Sequence, residues 1–187
     1  MDEREKIDLS NYDRKLYDPG VSFIKRAFWY FISIFFFQNS LVVSSGIKKF
    51  WIRAFGGKVG KGVVIKPKVN IKFPWNLQIG NYSWIGENVW IDNHAMVVIG
   101  NNVCLSQGAL LLTGSRYYDR TSFAPYVKQI TLEDGVWIAA KAIVCNGVTC
   151  HSHSVLGTLS VATKDMEEYS IYQGNPAVLK KERVISK

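Results

Sequence analysis

The chain has 187 residues, 48% of them hydrophobic, which suits a single domain with a buried core. A net charge of +8 admits phosphorylated small molecules or an anionic membrane surface as partners. The Lys and Arg residues are dispersed and form no nucleic-acid-binding motif, which argues against nucleic acid. Cys104, Cys145 and Cys150 form neither a CxxC pair nor a disulfide framework, so they read as free thiols of a reducing cytoplasm.

Residues 1–57 read as a polar tail followed by an aromatic helical segment. The tail, to Pro19-Gly20, is expected to be partly mobile or draped on a neighbour. From Ser22 to Val43 the chain reads as a helix that is apolar nearly all round, opened by Lys25 and Arg26. Its apolar run is shorter than the roughly 20 residues a membrane span needs, and Gln38-Asn39-Ser40 interrupts it. Acids precede it and no small-residue cleavage site follows, so it does not read as a signal peptide. Two readings stay open: the helix packs on its own domain or on neighbouring copies, or it lies in a membrane interface. A second short helix, Ile47 to Phe55, is expected to cap the domain that begins at residue 58.

From Val59 the sequence repeats in sixes. Ile79, Ile85, Ile99 and Leu105 open successive units, and after a gap Leu132, Ile138, Val144, Cys150 and Leu156 resume the frame. Val136, Ala142, Val148, Ser154 and Ser160 sit four places after these later openers. A period of six fits neither a helix nor simple strand alternation. It fits a parallel β-helix in which three short flat strands make one triangular coil of about 18 residues. Val59 to Ser115 gives about three coils and Leu132 to Lys164 nearly two more. Two pairs, Leu77-Gln78 and Val97-Val98, are extra to the frame and read as widened corners.

Residues 116–128 leave the frame as a loop, the natural place for function on a regular solenoid. Cys145, Cys150, His151 and His153 cluster locally. In a strand frame Cys150 points inward and His151 outward, so one tetrahedral shell would need distortion, and no metal is expected. Residues 165–187 form a C-terminal extension with Gly174-Asn175-Pro176-Ala177 and a basic tail.

The hexad frame, the loop after Thr113-Gly114-Ser115, the run Val136-Trp137-Ile138-Ala139, the segment Ser160 to Asp165 and Gly-Asn-Pro-Ala together resemble the hexapeptide-repeat acyltransferases. Pro74 to Gly80 and Trp84 to Asn93 are similar to their colanic-acid-biosynthesis branch of sugar O-acetyltransferases. The resemblance covers nearly everything after Phe55. It implies a homotrimer of left-handed β-helices with active sites between subunits and acetyl-CoA lying along a groove between coils. The implied acceptor is a hydroxyl or amine of a sugar that is nucleotide-, lipid- or oligosaccharide-linked, in surface polysaccharide or glycoconjugate synthesis. The implied location is cytoplasmic, at the inner face of the cell membrane if the aromatic helix is interfacial. A β-helical carbonic-anhydrase-like metalloenzyme would need interface histidines in a pattern that His94, His151 and His153 do not match.

In this family a His directly after the Thr-small-Ser/Thr string takes the acceptor's proton. Here that position is Arg116, which stays protonated and offers no acceptor. Three resolutions stay open. Asp119 in the loop, or His94 if its corner folds toward the cleft, replaces the base; the acceptor is an amine partly neutral near pH 7; or the chain is a weak or inactive trimeric binding or scaffold protein. The resemblance further implies that Asp92, Asn93 and Ser115 line the acceptor pocket, with corner hydrogen bonding as the alternative for the first two. It assigns Trp137 and Ala139 to the wall of the CoA groove and Thr163 and Lys164 to its end. Lys180 and Arg183 become candidates for the CoA 3′-phosphate.

Overall fold

The computed structural model describes residues 5–11 and 17–186. Residues 1–4 and 12–16 of the N-terminal tail, and Lys187 of the basic tail, lie outside them, and so do the expectations for those residues. The chain winds into a left-handed parallel β-helix with three flat faces. One sheet holds β1 (Lys58–Val59), β4 (Leu77–Ile79), β7 (Val97–Ile99), β12 (Ile130–Leu132) and β15 (Thr149–Cys150). A second holds β2 (Val64–Ile65), β5 (Trp84–Ile85), β8 (Cys104–Leu105), β13 (Trp137–Ile138) and β16 (Val155–Leu156), extended by the hairpin β18 (Ser170–Gly174) and β19 (Ala177–Glu182). The third holds β3 (Asn70–Ile71), β6 (Trp90–Asp92), β9 (Leu110–Leu112), β14 (Ile143–Val144) and β17 (Val161–Ala162).

The expected openers form the core. Ile79, Ile85, Ile99, Leu105, Leu132, Ile138, Val144, Cys150 and Leu156 are all buried, as are their small partners Val136, Ala142, Val148, Ser154 and Ser160. The corners are left-handed backbone turns, taken by Asn88 (φ 56°) and Asn102 (φ 55°) among others. Asn tolerates this region because its short side chain can bond locally. Successive corners stack closely, and a Cβ on Gly80 would stand 2.5 Å from the Gly100 carbonyl. A Cβ on Gly100 would in turn stand 2.5 Å from Asp134 Oδ1, so both units open with Ile-Gly.

The coils are of two sizes. Ile79 pairs with Ile99 and Ile91 with Leu111, a register of 20 residues, whereas Leu132 pairs with Cys150 and Val144 with Ala162, a register of 18. The extra residues are not Leu77-Gln78 and Val97-Val98. Leu77 and Val97 are inward-facing and fully buried in three-residue strands. The additions precede them, as the 3-10 turn Pro74–Asn76 and the turn through residues 93–96, both at the corner between the third and first sheets.

Two helices close the N-terminal end. Ser22 caps α1 (Phe23–Ile32) by accepting from the Lys25 amide at 3.3 Å. The helix widens into a π-turn, Ser33–Phe37. Helical structure stops there, short of the expected Val43, because Asn39 turns the chain by accepting from the Leu41 amide at 2.8 Å. α2 (Ser45–Ala54) then returns. Trp29, Ile32, Phe37, Ile52 and Phe55 are buried against the first coil. Polar groups cap the open strands: Trp29 Nε1 donates to Ile71 O at 2.9 Å, Arg53 to Val59 O at 2.6 Å, and the buried Lys48 Nζ to Lys66 O at 2.8 Å. Burial, with Lys66 nearby, pulls the Lys48 ammonium down to about 8. Among the described residues no helix is long and apolar enough to cross a membrane.

Candidate active site

The widened corner after β6 is built on buried hydrogen bonds. Asn93 is fully buried; its Nδ2 donates to Phe73 O at 2.6 Å and Asn76 O at 3.1 Å, and its Oδ1 accepts from the Phe73 amide at 2.9 Å. Asn93 thus binds one wide corner to the other, and it does not line the cavity beside it. From the next coil the buried Thr113 donates through Oγ1 to Asp92 O at 2.9 Å and accepts from the Ala95 amide at 3.0 Å. The corner is rigid because nearly every polar atom in it is paired.

This frame turns His94 toward the strand that leaves the solenoid. Its ring Cδ2 is 3.6 Å from where a Cβ on Gly114 would stand. Tyr17 and Phe73 meet the imidazole edge-on at 4.9 and 5.4 Å, and the Tyr17 hydroxyl donates to His94 O at 3.0 Å. His94 Nε2 lies 3.5 Å from Asp92 Oδ1, and Lys72 Nζ lies 3.2 Å from the same oxygen. Neither contact is a well-directed hydrogen bond. Burial, then the Lys72 charge, lowers the His94 pKa, with Asp92 opposing. Burial and Lys72 thus both favour the neutral imidazole. Burial pushes the Tyr17 phenol up to about 12, so it remains a donor. A cavity of about 220 Å³ opens here, lined by Tyr17, Asp92, His94, Ser115, Arg116 and Tyr126 among others.

The expelled segment is an ordered ribbon. β10 (Gly114–Arg116) pairs antiparallel with β11 (Pro125–Val127). Arg116 Nη1 donates to Phe123 O at 3.1 Å, and its guanidinium lies 5.1 Å from the Phe123 ring centre. Arg116 lines the cavity as a fixed cation. Asp119 is exposed at the ribbon tip and is not among the residues that line the cavity.

The CoA-side candidates are divided. Trp137, Ala139 and Arg183 line a cavity of about 330 Å³ on the second sheet, together with Gly157, Gln173 and Lys181. Trp137 donates through Nε1 to Ser106 Oγ at 2.9 Å. Arg183 is tied to the backbone, donating to Gly135 O at 3.0 Å and His153 O at 2.9 Å. Lys180 does not line this cavity; Lys181, which the sequence reading passed over, does. The hairpin register shifts there, with Ile171 paired to Lys181 and Tyr172 to Leu179, so Lys180 is left without a strand partner, which no local pattern in the basic run announces. Thr163 and Lys164 follow β17 and are exposed at the same corner of the prism as His94, three strands along that sheet. The local histidine and cysteine cluster disperses. His151 Nδ1 meets Glu133 at 3.0 Å, His153 stacks on Tyr169 at 4.7 Å, and Cys150 is buried against Met166.

No protein-family model matches the chain. It is 33% identical over 177 residues to the candidate colanic acid biosynthesis acetyltransferase WcaF of Escherichia coli strain K12, covering 95% of this chain and 97% of that protein. It is 29% identical over 128 residues to the galactoside O-acetyltransferase of the same organism, covering 67% and 63%. Among solved structures, a hexapeptide-repeat-containing acetyltransferase of Vibrio cholerae complexed with acetyl coenzyme A superposes with a TM-score of 0.79 at 22% identity, covering 90% of this chain and 93% of that one. A galactoside acetyltransferase in complex with coenzyme A superposes with a TM-score of 0.69 at 24% identity, covering 85% and 80%. At these identities the two structures speak for the fold alone.

Proposed function

The chain belongs to the hexapeptide-repeat acetyltransferases, alongside the colanic-acid-biosynthesis type, and on that premise we propose that it moves the acetyl group of acetyl-CoA to a hydroxyl or amine of a sugar-linked acceptor in surface glycan synthesis. The carrying observation is the placement of His94 beside Asp92 in the cavity that the expelled ribbon lines. His94 takes the role that Arg116 cannot perform. The Asp92 charge 3.5 Å from Nε2 favours a proton on that nitrogen by electrostatics alone, and in this reading Nδ1 is the base. In the transfer the acceptor O–H proton moves to Nδ1, the oxygen bonds to the thioester carbonyl carbon, the C–S bond breaks, and the proton passes to sulfur. Arg116 and the Ser115 hydroxyl are the donors at hand for the developing oxyanion and the acceptor.

The cavity beside Trp137 and Ala139 takes the pantetheine arm, and Lys181 with the outward Lys164 supplies charge for the CoA phosphates. In one copy that cavity is on the second sheet, while His94 stands at the corner between the third and first. This separation supports a site closed between copies, three in a homotrimer. Acetyl-CoA as the acyl donor fits a cytoplasmic location.

The test is thiol release from acetyl-CoA by the purified chain with sugar, amino-sugar and lipid-linked sugar acceptors. Release that depends on acceptor and on His94 is expected. Absence of CoA binding by calorimetry together with absence of release would leave only a binding or scaffold trimer.

A further inference from the structure

α1 carries two apolar stripes. Trp29, Ile32 and the following Phe37 face the solenoid, while Ile24, Phe28, Phe31 and Phe35 recur on the outer side at helical spacing and are 78%, 57%, 58% and 63% exposed. Leu41 and Val43 on the turn and Phe50 on α2 are exposed as well. The segment that builds this end of the prism is basic, with Asp18 just before it. Residues 19–86 hold ten of the 23 cations and none of the 15 acids, so the basic balance is concentrated at this end rather than dispersed. An apolar helical face set in cationic surroundings is the arrangement that lies on an anionic bilayer.

Beneath α1 is a further cavity of about 330 Å³, lined by Arg26, Tyr30, Gln38, Asn70, Lys72 and Trp90 among others, with no carboxylate in its lining among the described residues. Arg26 Nε is buried there and has no hydrogen-bond partner among the described residues. A buried guanidinium donor left unpaired is costly unless a ligand completes it, and a phosphate oxygen does so. The cavity adjoins the acceptor site. Lys72 lines it while its Nζ reaches Asp92, and Phe73 lines it while its ring meets His94.

We propose that this end of the prism docks on an anionic membrane and that the Arg26–Lys72 cavity holds the phosphate of a lipid-linked sugar, presenting that sugar's hydroxyl to His94. This rests on the transferase reading above for the acceptor's role, but its tests read binding and not transfer. The full chain is sedimented with vesicles of phosphatidylcholine alone, with added phosphatidylglycerol, and with a polyprenyl phosphate at the same total charge. Binding to anionic vesicles that falls with salt is expected, with a further gain of at least tenfold from polyprenyl phosphate. Ile24→Ser with Phe31→Ser, both exposed, should lower all vesicle binding by at least tenfold. Arg26→Met should abolish the polyprenyl phosphate gain while CoA affinity stays unchanged. No vesicle binding, with the Ile24→Ser/Phe31→Ser variant changing oligomeric state, would assign the outer stripe to a second copy and overturn the docking. Uridine diphosphate binding that is lost in Arg26→Met, without any polyprenyl phosphate gain, would assign the cavity to a soluble nucleotide and overturn the lipid. Docking without thiol release would sink the transferase reading and leave the surface standing; release from soluble sugars without docking would do the reverse.

Discussion

The same corner of the prism is built in two ways. In the coils through Ile79, Ile91 and Leu111 it is two residues longer than a regular hexad allows, and in the coils through Leu132, Val144 and Ala162 it is regular. The inward column does not register the change, since Ile85 and Ile138 are equally buried on the neighbouring face. The wide corners hold Asn93, His94 and the Asp92 pair; their regular counterparts after β14 and β17 hold Cys145 and Thr163-Lys164. The column fixes pitch, and a corner can be lengthened without disturbing it. A site can therefore be built where the repeat is interrupted, on a scaffold that stays rigid.

The largest effect that tests this division is on turnover. His94→Gln should lower kcat by about 10²–10⁴-fold with the fold intact, as loss of a general base does. His151→Gln, in the regular coils and paired with Glu133, should leave kcat unchanged. Adding Arg116→His to His94→Gln should recover at least tenfold (about 1.4 kcal/mol), because both side chains line one cavity. Equal losses from both histidine variants would remove the distinction between the corners.

The next effect is on stability. Ile138→Ala leaves a hole in a fully buried column and should cost about 2–5 kcal/mol in chemical denaturation. Asn93→Ala leaves the Phe73 amide and two carbonyls buried without their partner and should cost about 1–3 kcal/mol. Both variants should unfold earlier. Asn93→Ala alone should also lower kcat, because only it loosens the corner that aims His94.

The column was legible in the sequence because each core position repeats at a fixed interval. The wide corners were legible only as two surplus residues. Frame counting assigned them to Leu77-Gln78 and Val97-Val98, since an apolar pair can extend a strand or a corner; burial decides for the strand. His94 could be named as a candidate base, but its direction depends on Thr113 and Asn93 bonds across coils, which no local pattern encodes. Asp119 looked equivalent in the sequence and stands at an exposed tip. Lys180 was preferred over Lys181 because a basic run hides strand parity until the hairpin partner is known. The outer stripe of α1 was legible as hydrophobicity but not as exposure, which requires knowing the face that packs.

The smallest effect is a shift in pH dependence, and its sign separates the two charges beside His94. A base must be deprotonated, so the rate should fall on the acid side as the imidazole protonates. Burial and Lys72 depress this pKa, so the acid limb should lie below the ordinary histidine value of about 6.5. Lys72→Met removes a positive neighbour, makes imidazolium easier to form, and should move the limb to higher pH. Asp92→Asn removes the opposing negative charge and should move it lower still, with a fall in kcat because the ring loses the charge that favours its Nε2 proton. Shifts in the same direction, or a limb that ignores both changes, would mean that the titrating base is not His94.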